Sequence, residues 1–194
     1  KRPPLETCVI DVDMGSGQVK RIYLDHIAAT PLSPAAREAM LPYLDVLFEN
    51  PQSRYEAGAV IKNAIVTARH WVAEMIGADP REIIFTASGS EANNLAIKGV
   101  LSAQKKGRHV ITSAIEHFSV AHPLKRLERE GWDITWLPVN SYGRVHPAAV
   151  HAAIRNDTIL VSILHANNEI GTLQSIREIS SITQEAGILL HTDA

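Results

Sequence analysis

From residue 83 onward, short apolar runs alternate with segments in which apolar residues recur at helical spacing. The apolar runs predict strands at 83–85, 109–112, 134–138, 158–165 and 188–191, and the segments between them predict helices at 90–103, 118–129, 147–154 and 176–186. The strand at 158–165 begins with a run of apolar residues that does not alternate with polar ones, as is typical of a parallel strand covered on both faces. This order predicts an α/β fold, in which a mostly parallel, doubly wound sheet carries helices on both faces.

The first 82 residues have a different pattern. Two β-favouring runs, at 7–14 and 19–24, surround a glycine-rich turn and predict a hairpin. A helix is predicted from Pro34, which suits a first turn, to Phe48. The apolar residues of 58–76 recur at helical spacing and predict an amphipathic helix that ends at Gly77.

Three parts of the chain are predicted from these patterns. Residues 1–21 form an extension that makes the hairpin with 22–24, residues 22–57 form an N-terminal segment and helix, and residues 58–194 form an incomplete large domain. The last predicted strand is followed by only three residues, where a crossover to another strand is expected. The sequence is therefore interpreted as the N-terminal part of a longer protein.

Composition and charge mainly exclude classes of function. A formal net charge of −2 with no basic run gives no basis for nucleic-acid binding. No apolar run is long enough to span a bilayer or to form a signal peptide. One cysteine, Cys8, excludes an internal disulfide framework, and together these features predict a cytoplasmic protein. His117 and His122 lack same-face helical spacing and a second ligand cluster, so no metal site is predicted.

The junction at 83–98 is the first candidate for chemistry. The predicted strand passes through small residues, Ala87 to Ser90, and continues as a helix. The first amides of a helix are unpaired donors at the positive end of its dipole, so this junction predicts a seat for an anion or a phosphate. An ordinary turn with Ser88 or Ser90 as the N-cap explains the same residues, and for this stretch taken alone it is the commoner arrangement.

Polar residues also follow three other predicted strands. They are Glu116-His117, His165 to Glu169, and His191 to Asp193. Each has an ordinary explanation, such as a helix cap, a buried histidine or a turn asparagine. Because a parallel sheet brings these strand ends and the junction to one edge, the four segments together predict a ligand site.

These segments resemble a known family. The matching motifs are LDHIAATP at 24–31, NPQS at 50–53, FTASGSEANNLAIKG at 85–99, EH at 116–117, HANNEIG at 165–171 and HTDA at 191–194. In this combination and order they are similar to NifS/IscS-type cysteine desulfurases, which are class V pyridoxal-phosphate (PLP) enzymes with the aspartate-aminotransferase fold (fold type I). The resemblance extends from about Ile22 to the end of the chain.

The resemblance implies a role for each candidate site residue. Gly89 and Ser90 would donate to the phosphate of PLP, where Gly89-Ser90 replaces the commoner Ala-Thr or Gly-Thr. His117 would stack on the pyridine ring and assist proton transfers. Asn168 would bond the phenolic oxygen, and Asp193 would pair with the pyridinium nitrogen, which lets the ring act as an electron sink.

The resemblance also implies the reaction and its partners. Such enzymes convert L-cysteine to L-alanine, pass the sulfur as an enzyme persulfide to an acceptor protein, and act as homodimers. The Schiff-base lysine and the persulfide cysteine of the family belong beyond Ala194. Cys8 matches no family motif, and Lys98, two turns into its helix, is predicted to point to solvent. The alternatives are a selenocysteine lyase, a class V aminotransferase, a catalytically inactive scaffold and, lowest in rank, a nucleotide-binding Rossmann enzyme.

Overall fold

The computed structural model describes residues 9–15, 18–104 and 107–194. The chain divides into two compact units, with the boundary between Phe85 and Thr86. None of the helices in the described ranges combines the length and the apolar character that a bilayer crossing requires. Cys8 lies outside the described residues.

The first unit contains the predicted hairpin and two helices. Strand β1 (Val9–Asp13) pairs antiparallel with β2 (Val19–Tyr23), which confirms the hairpin, although residues 7 and 8 of the predicted first strand fall outside the described ranges. Helix α1 (Pro34–Asp45) is capped by the Ser33 side chain, and α2 (Glu56–Ile76) ends where Gly77 adopts φ 68°. A left-handed residue at this position favours glycine, and the predicted helix stop is confirmed.

Two predictions for the first unit need correction. On α2, Ile61 and Ala73 are buried, but Met75 and Ile76 are 79% and 62% exposed, so the predicted apolar face is covered only in part. Residues 83–85 form no strand and pair with no other described strand. The Arg69 guanidinium donates to the carbonyl of Ile83 and lies 4.9 Å from the centroid of the Phe85 ring, so this apolar run is held by a side chain instead of a sheet.

The second unit is a parallel sheet with helices between its strands. Its elements are α3 (Gly89–Ala103), β3 (His109–Ser113), α4 (Phe118–Arg129), β4 (Asp133–Leu137), α5 (Pro147–Ala153), β5 (Thr158–Ser162), α6 (Ile176–Glu185) and β6 (Leu189–His191). The strand order is β4–β3–β5–β6 and every pair is parallel. The predicted α/β fold with a parallel sheet is confirmed.

Two consecutive residues of β3 show that helices cover both faces of this sheet. Val110 belongs to a core cluster with residues of α3 and α4, including Ile97 and Leu124. Ile111, the next residue, belongs to a second cluster with residues of α5 and α6, including Ile179. Successive side chains of a strand point to opposite faces, so α3 and α4 lie on one face and α5 and α6 on the other.

The buried His109 joins three strands at the amino ends of the sheet. Its Nδ1 lies 2.7 Å from the Thr158 hydroxyl of β5, and its Nε2 lies 2.8 Å from the Thr135 hydroxyl of β4. Next to it, the pairing of β3 with β5 slips: His109 faces Thr158, but Val110 faces Leu160. Ile159 is therefore the extra residue of a β-bulge, and it shares a core cluster with Leu160.

The order of the strands fixes where a ligand can bind. The chain leaves β3 toward β4 on one side and returns to β5 on the other, so connections diverge at the carboxyl ends of β3 and β5. A crevice opens at such a switch point, and ligands of open α/β sheets bind there.

Candidate functional site

The first turn of α3 offers unpaired donors. Ser88 is the N-cap, and its hydroxyl accepts from the Glu91 amide at 3.2 Å, while the Glu91 carboxylate accepts from the Ala87 amide at 2.7 Å. The Ser88 alternative foreseen for the cap is thus realised, and it leaves Ser90 uninvolved. The amides of Gly89 and Ser90, as the first helical residues, have no partner within the helix. A Cβ added to Gly89 would meet no atom within 4 Å, so the space beside its Cα is open.

Glu116 joins the loops that follow β3 and β5. Its Oε1 accepts from the Ser113 hydroxyl at 2.5 Å and from the Leu164 amide at 3.1 Å. Its Oε2 is buried and has no partner among the described residues. Burial raises the pKa of Glu116 to about 7, and the Asp193 carboxylate adds to the rise. At the switch point, the end of β3 and the loop after β5 are therefore joined by a carboxyl group that titrates near neutral pH.

A cleft of about 360 Å³ lies above this link, between the loops after β3 and β5, and both His117 and Asn168 line it. Asn167 is fully engaged: its amide donates to the Ile115 carbonyl at 3.1 Å, and its oxygen accepts from the amides of Glu169 and Ile170. Asn168 is exposed and makes no hydrogen bond to any described residue. Asn167 thus holds the turn, and Asn168, the next residue, lines the cleft.

Asp193 reaches the same edge from β6. The Asp193 carbonyl accepts from the His165 amide at 2.8 Å, so the residues after β6 run beside those after β5. The Asp193 carboxylate also acts electrostatically on Glu116 and on His191. Asp193 is half-buried, which reduces the water that competes for its charge.

The buried Asn93 connects the helix to the sheet edge. It lies one turn into α3; its oxygen is 3.2 Å from His191 Nε2 and its amide donates to the Ser119 hydroxyl at 2.8 Å. That hydroxyl is 2.7 Å from His117 Nδ1. The structure thus links His117 and the β6 end to α3, whose first turn holds Gly89 and Ser90.

Sequence reasoning missed part of this arrangement. Asn93 and His191 stand inside matched motifs, but only their neighbours received roles, and Ser119 carried no signal at all. Lys98 is exposed on α3, as predicted. Within residues 9–15, 18–104 and 107–194, no group of three or more metal-ligating side chains is found.

The donor set fits a phosphorylated aromatic cation. Two amides and a hydroxyl at a helix N-terminus suit a phosphate, a half-buried carboxylate suits a protonated ring nitrogen, and a free amide suits an anionic ring oxygen. Solved structures have the same fold: a NifS-like protein matches with TM-score 0.85 and 33% identity over 88% of this chain and 47% of its own. The fold is that of the large domain of PLP-dependent transferases of fold type I.

The chain belongs to the aminotransferase class-V family, whose model matches residues 22–194. The cysteine desulfurase IscS of Methanosarcina thermophila is 49% identical over 180 residues, which are 92% of this chain and 45% of that protein. The IscS of Dictyoglomus turgidum is also 49% identical, over 90% of this chain and 45% of its own. A solved structure of SspA in complex with cysteine is 41% identical, with TM-score 0.84 over 88% of this chain and 49% of that one.

The resemblance to cysteine desulfurases drawn from the motifs is confirmed by these relatives. The chain spans about 45% of the length of the curated relatives it matches.

Proposed function

We propose that the protein to which this chain belongs is a PLP-dependent cysteine desulfurase, which converts L-cysteine to L-alanine and passes the sulfur to an acceptor protein. The observation that carries the proposal is the donor set at the switch point: the open first turn of α3, the half-buried Asp193 carboxylate, and the cleft lined by His117 and Asn168. The names of the relatives support cysteine as substrate.

The first turn of α3 holds the phosphate of PLP. The amides of Gly89 and Ser90 and the Ser90 hydroxyl donate to it, and the positive end of the helix dipole adds to the attraction. Ser88 and Glu91 cap the neighbouring amides, so these donors are fixed before the cofactor arrives. Such preorganisation lowers the entropic cost of binding.

Asp193 holds the ring nitrogen of the cofactor in its protonated form. When bound, the protonated ring supplies an electron sink for a carbanion at the substrate α-carbon. The Asp193 backbone is fixed by its carbonyl contact with the His165 amide, so the carboxylate has a defined position. His117 stacks on the ring and assists proton transfers, and the Asn168 amide donates to the phenolic oxygen.

The partners of the protein follow from the same proposal. We propose a cytoplasmic homodimer, and the exposed apolar residues of the first unit, such as Trp71 and Met75 at 68% and 79%, support burial against further protein. We propose that the acceptor of the sulfur is a protein and that the enzyme serves iron–sulfur cluster biogenesis.

The role of Asp193 gives the first test. In the full-length protein, Asp193→Asn keeps the shape of the side chain but removes its charge, and Asp193→Ala removes both. We expect either change to lower the rate of alanine formation from L-cysteine about 10- to 100-fold, because a hydrogen bond to a charged group contributes about 1.5–3 kcal/mol. Asp133→Asn, at the opposite end of the sheet, is the matched control. Turnover like the wild type in both Asp193 variants would refute the assigned role.

Product analysis separates the alternatives. Alanine with persulfide from L-cysteine supports a desulfurase, alanine formed only from L-selenocysteine identifies a selenocysteine lyase, and amino transfer to a keto acid identifies an aminotransferase. A full-length protein that binds no PLP and turns over none of these substrates would instead be an inactive scaffold.

A further inference from the structure

Five polar side chains form a continuous hydrogen-bonded chain beneath the cleft. In order they are Ser162 on β5, His191 on β6, Asn93 on α3, Ser119 on α4 and His117 at the N-cap of α4. Ser162 Oγ lies 2.8 Å from His191 Nδ1, and His191 Nε2 lies 3.2 Å from Asn93 Oδ1. Asn93 Nδ2 is 2.8 Å from Ser119 Oγ, which is 2.7 Å from His117 Nδ1.

A backbone amide fixes the direction of this chain. The amide of Ser119 donates to His117 Nδ1 at 3.2 Å, and a backbone amide has no accepting alternative. Nδ1 therefore carries a lone pair, and the proton of the neutral ring sits on Nε2. The Ser119 hydroxyl, with one hydrogen, then donates to the same Nδ1 and accepts from the Asn93 amide.

The rest of the chain follows from that end. Because the Asn93 amide nitrogen faces Ser119, its oxygen faces His191 and accepts from Nε2–H. Nδ1 of His191 is then the acceptor of the Ser162 hydroxyl. Burial lowers the pKa of His191 despite the nearby Asp193 carboxylate, so this imidazole is neutral and can both donate and accept. Each contact along the chain thus pairs one donor with one acceptor, and the outer nitrogen of His117 keeps its proton for the cleft.

We propose that Ser119 and Asn93 are positioning residues, which hold His117 in the tautomer that carries its proton on Nε2. The Ser119 amide already favours this tautomer, and the Ser119 hydroxyl, oriented by Asn93, adds to the preference. The value of the tautomer for proton transfer rests on the proposed function. Neither Ser119 nor Asn93 lines the cleft, so both act through the His117 ring, which does.

Asn93→Asp is the sharpest test because it keeps the shape and reverses a polarity. The carboxylate that this change introduces can only accept, so the Ser119 hydroxyl donates its hydrogen bond to the carboxylate, and Ser119 Oγ becomes free to accept from His117 Nδ1–H. We expect the two ring nitrogens of His117 to exchange roles in part. Long-range ¹⁵N–¹H spectra of histidine-labelled full-length apoprotein, recorded at alkaline pH, report protonation at each ring nitrogen directly.

Three further variants isolate the cause. Ser119→Ala keeps the backbone donor and loses the hydroxyl, so we expect a smaller rise in the Nδ1–H population, and Ser119→Thr restores the hydroxyl and the wild-type spectrum. Asn94→Asp adds the same charge one residue further along α3. The native Asn94 amide donates to the Ser90 carbonyl and is not part of the chain of contacts, so we expect this variant to leave the His117 spectrum unchanged.

The proposal is overturned if His117 in the wild type carries its proton on Nδ1, or if Asn93→Asp leaves its tautomer unchanged. Because the spectra need neither cofactor nor substrate, that failure is distinct from a failure of the proposed desulfurase activity, which is measured as alanine release. In the active enzyme we expect Asn93→Asp to lower kcat more than it changes KM, since the ring that it disturbs assists proton transfer.

Discussion

Glu116→Gln provides a direct test of how the switch point is held together. The glutamate is 9% exposed, and burial raises the pKa of its carboxyl group from 4.5 to about 7. The introduced amide keeps an oxygen that can accept from the Ser113 hydroxyl and the Leu164 amide, but it stays neutral at every pH. The variant therefore removes the titration and preserves the two contacts.

The sign of the effect follows from where the proton is held. Below pH 4.5 the carboxyl group is protonated in both the folded and the unfolded wild type. As the pH rises from there, the unfolded chain loses the proton while the folded protein retains it up to about pH 7, so the free energy of unfolding falls. Each unit of pH in this window costs about 1.4 kcal/mol, and the total is about 3 kcal/mol.

Urea unfolding of the wild type and Glu116→Gln, followed by circular dichroism across this pH range, measures the difference. We expect similar stability at the acidic end, and a variant that is more stable by up to about 3 kcal/mol above neutral pH. Glu185→Gln, at an exposed position on α6, controls for the loss of a charge. A difference between the two proteins that does not change with pH, or that grows toward acid, would refute the reasoning.

Three other changes test further parts of the second unit. Burial lowers the pKa of His109, so the neutral ring stabilises the fold above pH 6.5 and this stability is lost as the pH falls. His109→Leu should weaken that acid sensitivity in urea unfolding, while costing about 1–3 kcal/mol at neutral pH because the Thr135 hydroxyl loses its partner; the Thr158 hydroxyl still accepts from the Arg155 amide. Gly107→Ala should lower the melting temperature more than Gly187→Ala. Both glycines have positive φ, but only a Cβ at 107 meets the Asp157 carbonyl, and this clash adds about 1–3 kcal/mol to the loss of stability. Equal decreases in melting temperature for the two variants would contradict this explanation. Ser90→Ala should weaken PLP binding, measured by absorbance titration, about 10-fold, and unchanged affinity would remove Ser90 from the phosphate site.

Secondary structure was most predictable where a local signal marks each end. Helix α4 was predicted at 118–129 and occupies Phe118–Arg129, because His117 caps its first turn and Gly131 follows its end. The run at 83–85 carries the apolar side chains of a strand, but no neighbouring strand among the described residues pairs with it, and Arg69 holds it instead. Periodicity likewise shows that α2 has an apolar face, yet it cannot show what covers that face.

The candidate site was predictable in its parts and not in its connections. Strand ends in a parallel sheet meet at one edge, so residues such as His117 and Asp193 could be assigned to one region from their order alone. The contact between Asn93 and Ser119 joins helices whose rotation depends on core packing across many residues. Polar contacts of this kind leave no pattern in the sequence, because several other small polar residues at these positions would fit the same helical periodicity.

Because of the bulge at Ile159, β5 contains one residue more than its pairing with β3 requires. Pairing before it is set by Thr158 opposite His109, and pairing after it by Leu160 opposite Val110. Deleting Ile159 would join two segments that are already in register, so the histidine contact at one end and the Ser162–His191 contact at the other would both persist. Deleting Leu160 or Val161 would have to be absorbed by the bulge or would exchange the faces of all residues beyond it. Length changes within this strand are therefore confined to a single position, at the end of the sheet opposite the candidate site.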